Sequence, residues 1–148
     1  MTEENRGRKY WVIAASKDHV KNGVAAGITQ ANHGKAGPLK RMHKNDFVIY
    51  YSSKQTLGKT DKCQESTAIG EISDQEIFQV KISENFEPFR RRTNFLQSGD
   101  IPVLPLVDQL DFIVNKKSWG YPFRLGFFEI NQHDFDLMSS KMLSGKHV

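Results

Sequence analysis

Gln30, His33, Lys35, Tyr51 and Ser52 fall in one stretch, residues 23–52, where glycines and polar groups precede a strongly apolar run. A glutamine amide presents a donor and an acceptor in one plane, and serine or tyrosine hydroxyls supply either. Lysine and arginine neutralise phosphates. Set at the rim of a core, such groups hold a small planar ligand by its edge. The chemistry they suit is recognition of a flipped-out or single-stranded nucleobase, which needs in-plane hydrogen bonds, a π surface and cations for the backbone. Trp119, in a loop between Lys116-Lys117 and Gly120-Tyr121-Pro122, offers the π surface; its other role is to fill core.

Ser16 and Ser52 can address a base edge beside Gln30, although Ser16 is equally placed to cap a helix. Tyr50 and Tyr51 point to opposite faces of one strand, so one enters the core while the other can bring its hydroxyl to a pocket. Periodicity does not choose between them. His33-Gly34-Lys35 reads as a cationic loop. Arg90-Arg91-Arg92 is the densest positive cluster, but consecutive side chains of an extended segment diverge, so the three cannot all serve one site. Arg124 is a further candidate for a backbone contact, with structural pairing as its alternative.

Catalytic signatures are missing. The chain has no GxSxG, Walker A or GxGxxG pattern. Its single cysteine and scattered histidines lack zinc spacing, and His133-Asp134 has no evident third ligand. Cys63 sits in a polar loop without a local activator and reads as incidental. The expectation is a binder with no catalytic residues, metal or cofactor; the alternatives are a sensor whose pocket takes a free nucleotide or another anion, and an RNA-processing enzyme with His33 as base and Lys35 as phosphate stabiliser.

The elements that must position these groups are short. Tyr10–Ala15 reads as a buried strand. A helix follows over residues 17–26, with Val20, Val24 and Ile28 on one face and Gly27 as its stop. A loop leads to a short helix from Pro38 to Met42, then to a strand over Phe47–Ser52 with both faces apolar. Residues 53–66 are a polar connection. Ala68–Ile72 and Ile77–Ser83 form an expected antiparallel hairpin through Asp74-Gln75-Glu76. Residues 85–100 read as irregular. Pro105 opens a short helix, 112–114 is a strand, and 125–130 is a last short strand or irregular segment. Asn131 caps a closing helix with Phe135, Met138 and Met142 at i, i+3, i+7.

At 148 residues, with 38% apolar and 26% charged side chains, the chain is one folded domain with an ordinary core. Residues 9–144 form the expected domain, with flexible tails at 1–8 and 145–148. No apolar run is long enough for a membrane span, and the polar start argues against a secretory signal. One cysteine permits no internal disulfide, which fits a reducing, cytoplasmic location. Charge is uneven: residues 1–60 carry 11 Lys and Arg against 4 acids, while 61–89 carry 2 against 7. The basic first part is compatible with phosphate contacts.

Gly23-Val24, Gly27, Gln30, His33-Gly34-Lys35, Pro38-Leu39, Arg41-Met42 and Asp46 form a specific spaced pattern. Together with Tyr50-Tyr51-Ser52, Lys116-Lys117-Ser118-Trp119 and Asp134-Phe135, it resembles the EVE domain family of the PUA-like superfamily, relatives of the YTH domains. The resemblance runs from Tyr10 to about Leu143. One departure is Asn45, where the family usually has Gly. The resemblance implies a mixed α+β, β-rich fold: a PUA-like pseudo-β-barrel of five to six strands with short peripheral helices. It also implies non-enzymatic binding of a modified base in DNA or RNA, and favours Tyr51 as the pocket tyrosine. YTH relatives carry a cage tryptophan where this chain has Thr29, which points away from a full methyl-adenine cage and toward another base, such as a cytosine derivative.

Overall fold

The computed structural model describes residues 7–144. Along the chain run β1 (Tyr10–Ala14), α1 (Lys17–Ala26), β2 (Ile28–Thr29), α2 (Ala36–Arg41), β3 (Phe47–Lys54), β4 (Lys62–Ile72), β5 (Phe78–Gln79), β6 (Phe89–Phe95), β7 (Ile101–Pro102), β8 (Phe127–Ile130) and α3 (Gln132–Met142). Short 3-10 turns fill much of the span between β7 and β8. The main path of the sheet is β2-β6-β4-β3-β1-β8, with β5 beside β6 and β7 beside β4. Only the β1–β3 pair is parallel. The sheet is a curled half-barrel, the strand-rich mixed architecture the resemblance implies. It has eight strands against the five to six expected, six of them on the main path.

The central strands are apolar on both faces, and both faces are covered. Val12, Ile49, Tyr51 and Ile69 pack beneath α3 and the 3-10 turns, joining Leu110 and Met138. Trp11, Ile13, Val48 and Tyr50 pack on the other side with Val20 of α1 and Leu39 of α2. Alternation along β1 and β3 therefore feeds two cores, as a doubly buried strand must. Trp11 stacks on Phe127 with ring centroids 4.9 Å apart, a pairing worth about 0.5–1.5 kcal/mol beyond simple burial.

Two buried aspartates tie loops to this frame. Asp46 accepts from the backbone amides of Lys9 and His43 and from Trp11 Nε1, at 2.9 to 3.0 Å. Asp134 accepts from the amides of Asp111 and Phe112 at 2.8 Å each. Asn131 caps α3 by accepting from the Asp134 amide, and Phe135, Met138 and Met142 are buried on one helical face.

Several expectations change. α1 stops at Gly27, whose φ of 68° is left-handed, but it buries only Val20; Val24 is exposed and Ile28 belongs to β2. The hairpin joining Ala68–Ile72 to Ile77–Ser83 does not form. Residues 78–82 pair forward with 86–90 instead, through Val80 N to Pro88 O and Ile82 N to Phe86 O. Their alternation was a true strand signal with the wrong partner. Residues 89–95, expected to be irregular, are β6, a strand between β2 and β4 with polar side chains at most positions. Residues 112–114 form no strand; they are held by Asp134. Most of the expected tails lies outside the described residues. Arg8 is described and pairs with Glu71 at 3.2 Å. Among the described residues no helix is long and apolar enough to cross a membrane.

Candidate functional site

A cleft of about 620 Å³ opens where the end of β1, α1, the loop after β2 and the turn before β8 converge. Its volume falls in the range of small-molecule sites. Gln30 is its organising group. Arg90 Nε donates to Gln30 Oε1 at 3.0 Å, and Tyr50 Oη lies 3.3 Å from both the main-chain N and O of Gln30. The carboxamide oxygen is thus engaged, while Gln30 Nε2 makes no hydrogen bond among the described residues. Burial pushes the Tyr50 phenol up to about 12, so it stays a neutral donor and acceptor at ordinary pH.

Ser16 lines the same cleft. It stands at the N-cap of α1 but does not cap it, and its Oγ is buried without a well-formed hydrogen bond. It helps hold the Asp18 carboxyl below its usual range, yet that contact lacks hydrogen-bond geometry. A buried hydroxyl in this state costs free energy that a ligand can recover.

The rim is built from two tight turns. Asn32 and His33 both adopt left-handed backbone, with φ of 47° and 62°. Gly126, φ 77°, closes the other turn; a Cβ there would meet Asn32 Oδ1 at 2.5 Å. The left-handed backbone favours glycine here, and any side chain would also push the Asn32 carboxamide aside. The Gly126 carbonyl accepts from Ala14 N at 2.9 Å, locking this turn to β1. Exposed Arg124, Leu125, Ile82 and Leu57 complete the mouth with half-buried Phe86.

A second cleft of about 440 Å³ adjoins the first, and Ala14 and Arg124 line both. Tyr51, Phe123, Lys117 and half-buried Trp119 line this one. The Trp119 ring meets Tyr51 and Phe123 edge-on, at 6.4 Å and interplanar angles of 89° and 81°.

The structure therefore gathers Ser16, Gln30, His33, Arg90 and Arg124 around one cleft and separates others from it. Trp119 and Tyr51 line the neighbouring cleft, because Tyr51 faces away from Tyr50; it is Tyr50 whose hydroxyl meets Gln30. Thr29 is fully buried, sharing a 2.7 Å hydrogen bond with Thr93 across the β2–β6 pair. Its non-aromatic side chain therefore says nothing about the ligand. Ser52 is likewise buried, 2.8 Å from Thr67. Lys35 is exposed ahead of α2 and lines neither cleft.

The three arginines diverge. Arg92 is outside, pairing with Glu76 at 2.8 Å and Asp74 at 3.4 Å. Arg91 is inside, 2% exposed, donating to the carbonyls of Leu39, Met42 and Asp74. Burial lowers its pKa, partly offset by the carboxylates of Asp74 and Asp46. Arg91 is thus a structural clip, its guanidinium turned inward onto backbone carbonyls where a phosphate has no access. The resemblance favoured Tyr51, whereas it is Tyr50 that lines the first cleft; periodicity left the choice open because a strand with both faces buried holds no signal to make it.

Two other groups are engaged structurally. The fold supplies the third partner that His133-Asp134 lacked, Asp111, with ligand atoms of all three within 4.8 Å. Both Asp134 oxygens already serve backbone amides, and hydrogen bonding to Asp134 raises the His133 pKa. Burial and the neighbouring Glu65 push the Cys63 thiol up, away from a reactive thiolate.

The family pattern of the EVE domain matches residues 9–141. The UPF0310 protein in the gntR 5′ region of Bacillus licheniformis is 47% identical over 128 residues, covering 86% of this chain and 87% of that one. A UPF0310 protein of Mycolicibacterium gilvum is 45% identical over 132 residues, covering 89% and 94%. Among solved structures, a hypothetical protein from Leishmania major superimposes with a TM-score of 0.62 at 11% identity, covering 95% of this chain and 98% of that one. The NMR structure of a Rhodopseudomonas palustris protein gives 0.55 at 18%, covering 94% and 96%. At such identities the superpositions speak for the fold alone.

Proposed function

The chain belongs to the EVE domain family, and from that membership and the first cleft we propose that it binds a modified nucleobase of DNA or RNA without transforming it. The carrying observation is Gln30, fixed between Arg90 and Tyr50 with its amide donors unspent, beside the buried Ser16 hydroxyl. A base edge pairs a donor with an acceptor in one plane. Gln30 Nε2 meets a ring nitrogen or carbonyl of that edge, and Ser16 Oγ, itself buried, rotates out to meet its neighbour. Ala15, Ala26 and Ile28 give the apolar wall that an added methyl-sized group fills. His33 and Arg124 stand at the mouth, where a phosphate passes.

Absence of turnover is part of the proposal. It is supported by an unactivated Cys63 and by Arg90 and Tyr50, which are committed to holding Gln30. The lone cysteine supports a cytoplasmic setting.

The test is fluorescence anisotropy of labelled single-stranded oligonucleotides carrying 5-methylcytosine, 6-methyladenine or neither, at low salt. At least one modified strand binds about tenfold tighter than its unmodified twin. Gln30→Ala loses about tenfold on that strand, as expected for one directed hydrogen bond of about 1–2 kcal/mol, while its melting temperature stays near that of the parent. Equal affinity for every strand, or an unchanged Gln30→Ala, overturns the reading.

A further inference from the structure

We infer that the second cleft seats the nucleotide adjoining the recognised base, so that the protein grips two consecutive nucleotides of one strand with Arg124 at the phosphate between them. This rests on the base-binding reading of the first cleft. The two clefts are not separate features of the surface: Ala14 and Arg124 form a wall common to both. A strand whose base enters the first cleft reaches the second by crossing that wall.

Tyr51 and Phe123 belong to the core beneath the second cleft, and Trp119 packs against that core while keeping part of its surface open. Trp119 is only partly buried, and it is braced edge-on by Tyr51 and Phe123. An indole fixed in this way gives a stacking surface with little ordering left to do on binding. Tyr51 and Phe123 are themselves stacked at 3.7 Å between centroids, so the brace is rigid. Stacking accepts any base, which suits a position that follows the recognised one.

The cations agree. Lys117 and Arg124 line this cleft, and neither makes a salt bridge among the described residues. Lys116, the adjacent lysine, differs: its Nζ donates to the carbonyls of Val107 and Leu110 at 3.0 Å each. Asn115 Oδ1 accepts from the amides of Lys117 and Ser118, which fixes the turn that carries Lys117 and leads into Trp119. One lysine of the pair thus secures the loop and the other stays available to a phosphate.

The experiment is a double-mutant cycle between protein and strand. The probes are single-stranded trinucleotides with 5-methylcytosine or 6-methyladenine at the centre, compared with versions whose flanking positions are abasic but keep their phosphates. On the better-bound intact trinucleotide, Trp119→Ala loses about tenfold, within the range measured for one base–aromatic stack. On the abasic version it loses nothing, and Trp119→Phe retains most of the parent's affinity. Arg124→Gln lowers the salt dependence by about 0.7 log units per log unit of salt, one single-strand phosphate. Melting temperatures check that each variant is folded.

If Trp119→Ala leaves the intact trinucleotide unchanged while Gln30→Ala weakens it, the second cleft is no nucleotide seat and the first-cleft reading stands. A Trp119→Ala loss that is equal on intact and abasic probes also overturns the proposal. If no probe binds the parent, both readings fall together.

Discussion

Arg91→Met melts roughly 6–12 °C below the parent. The guanidinium holds three carbonyls, those of Leu39 and Met42 at the end of α2 and that of Asp74 in the turn after β4. Methionine fills similar volume but donates nothing. The Leu39 carbonyl keeps a second partner in Met42 N at 3.3 Å, so the main loss falls on Met42 and Asp74. At about 1–3 kcal/mol for each buried acceptor left unpaired, the cost is about 3 kcal/mol. For a chain of this size each kcal/mol shifts melting by about 2–4 °C. Arg91→Lys recovers only part, since one ammonium cannot span the three carbonyls. Thermal denaturation followed by circular dichroism checks this. Below its transition the variant keeps the parent's affinity for the oligonucleotide. Unchanged melting with weakened binding would make Arg91 the phosphate contact that its sequence neighbourhood indicates.

Asp46→Ala costs about 3–5 kcal/mol, a fall of roughly 6–20 °C. Its carboxylate collects three donors, from the residue before β1, from the Trp11 indole and from the loop before β3. Removing it strands the buried Trp11 indole N–H and unties the half-buried Lys9 and His43 amides. Asp46→Asn keeps one acceptor oxygen and recovers about half. The indole proton of Trp11 gives a local readout: it exchanges with solvent faster in Asp46→Ala than in the parent. A melting point within about 2 °C of the parent's would show that water or backbone movement replaces the carboxylate.

Arg91 and Asp46 also show what a sequence does and does not disclose. The apolar runs of β1 and β3, the Gly27 stop and the Asn131 cap follow from local chemistry, and the fold keeps them. β6 was illegible because its alternation is carried by Arg, Thr and Asn, with only Phe89 and Phe95 apolar at its ends. Which arginine of a triplet goes inward depends on carbonyls more than fifteen residues away, and no local pattern encodes that. The forward pairing of residues 78–82 had the same origin: periodicity reports a strand, not its partner.

For the candidate site, the polar stretch around Gln30 supplies Gln30, His33 and Tyr50 to the first cleft. It could not resolve one pocket into two. Tyr50 and Tyr51 are adjacent in sequence and lie on opposite faces of β3, so each belongs to a different cleft. Trp119 follows Tyr51, and Gln30 follows Tyr50. Thr29 and Ser52 have types that suit ligand binding, but their hydroxyls satisfy each other's kind inside the sheet.

The most direct test is amide and side-chain NMR mapping of the full chain during titration with the better-bound modified oligonucleotide. The account predicts the largest shifts at Ser16, at Gln30 including its side-chain NH2, at His33 and at Gly126, with Arg91 and Thr29 nearly still. Shifts confined to Lys35, Lys40 and other exposed cations, with Gln30 unmoved, would mean that the strand is held by charge alone and that the cleft does not receive a base.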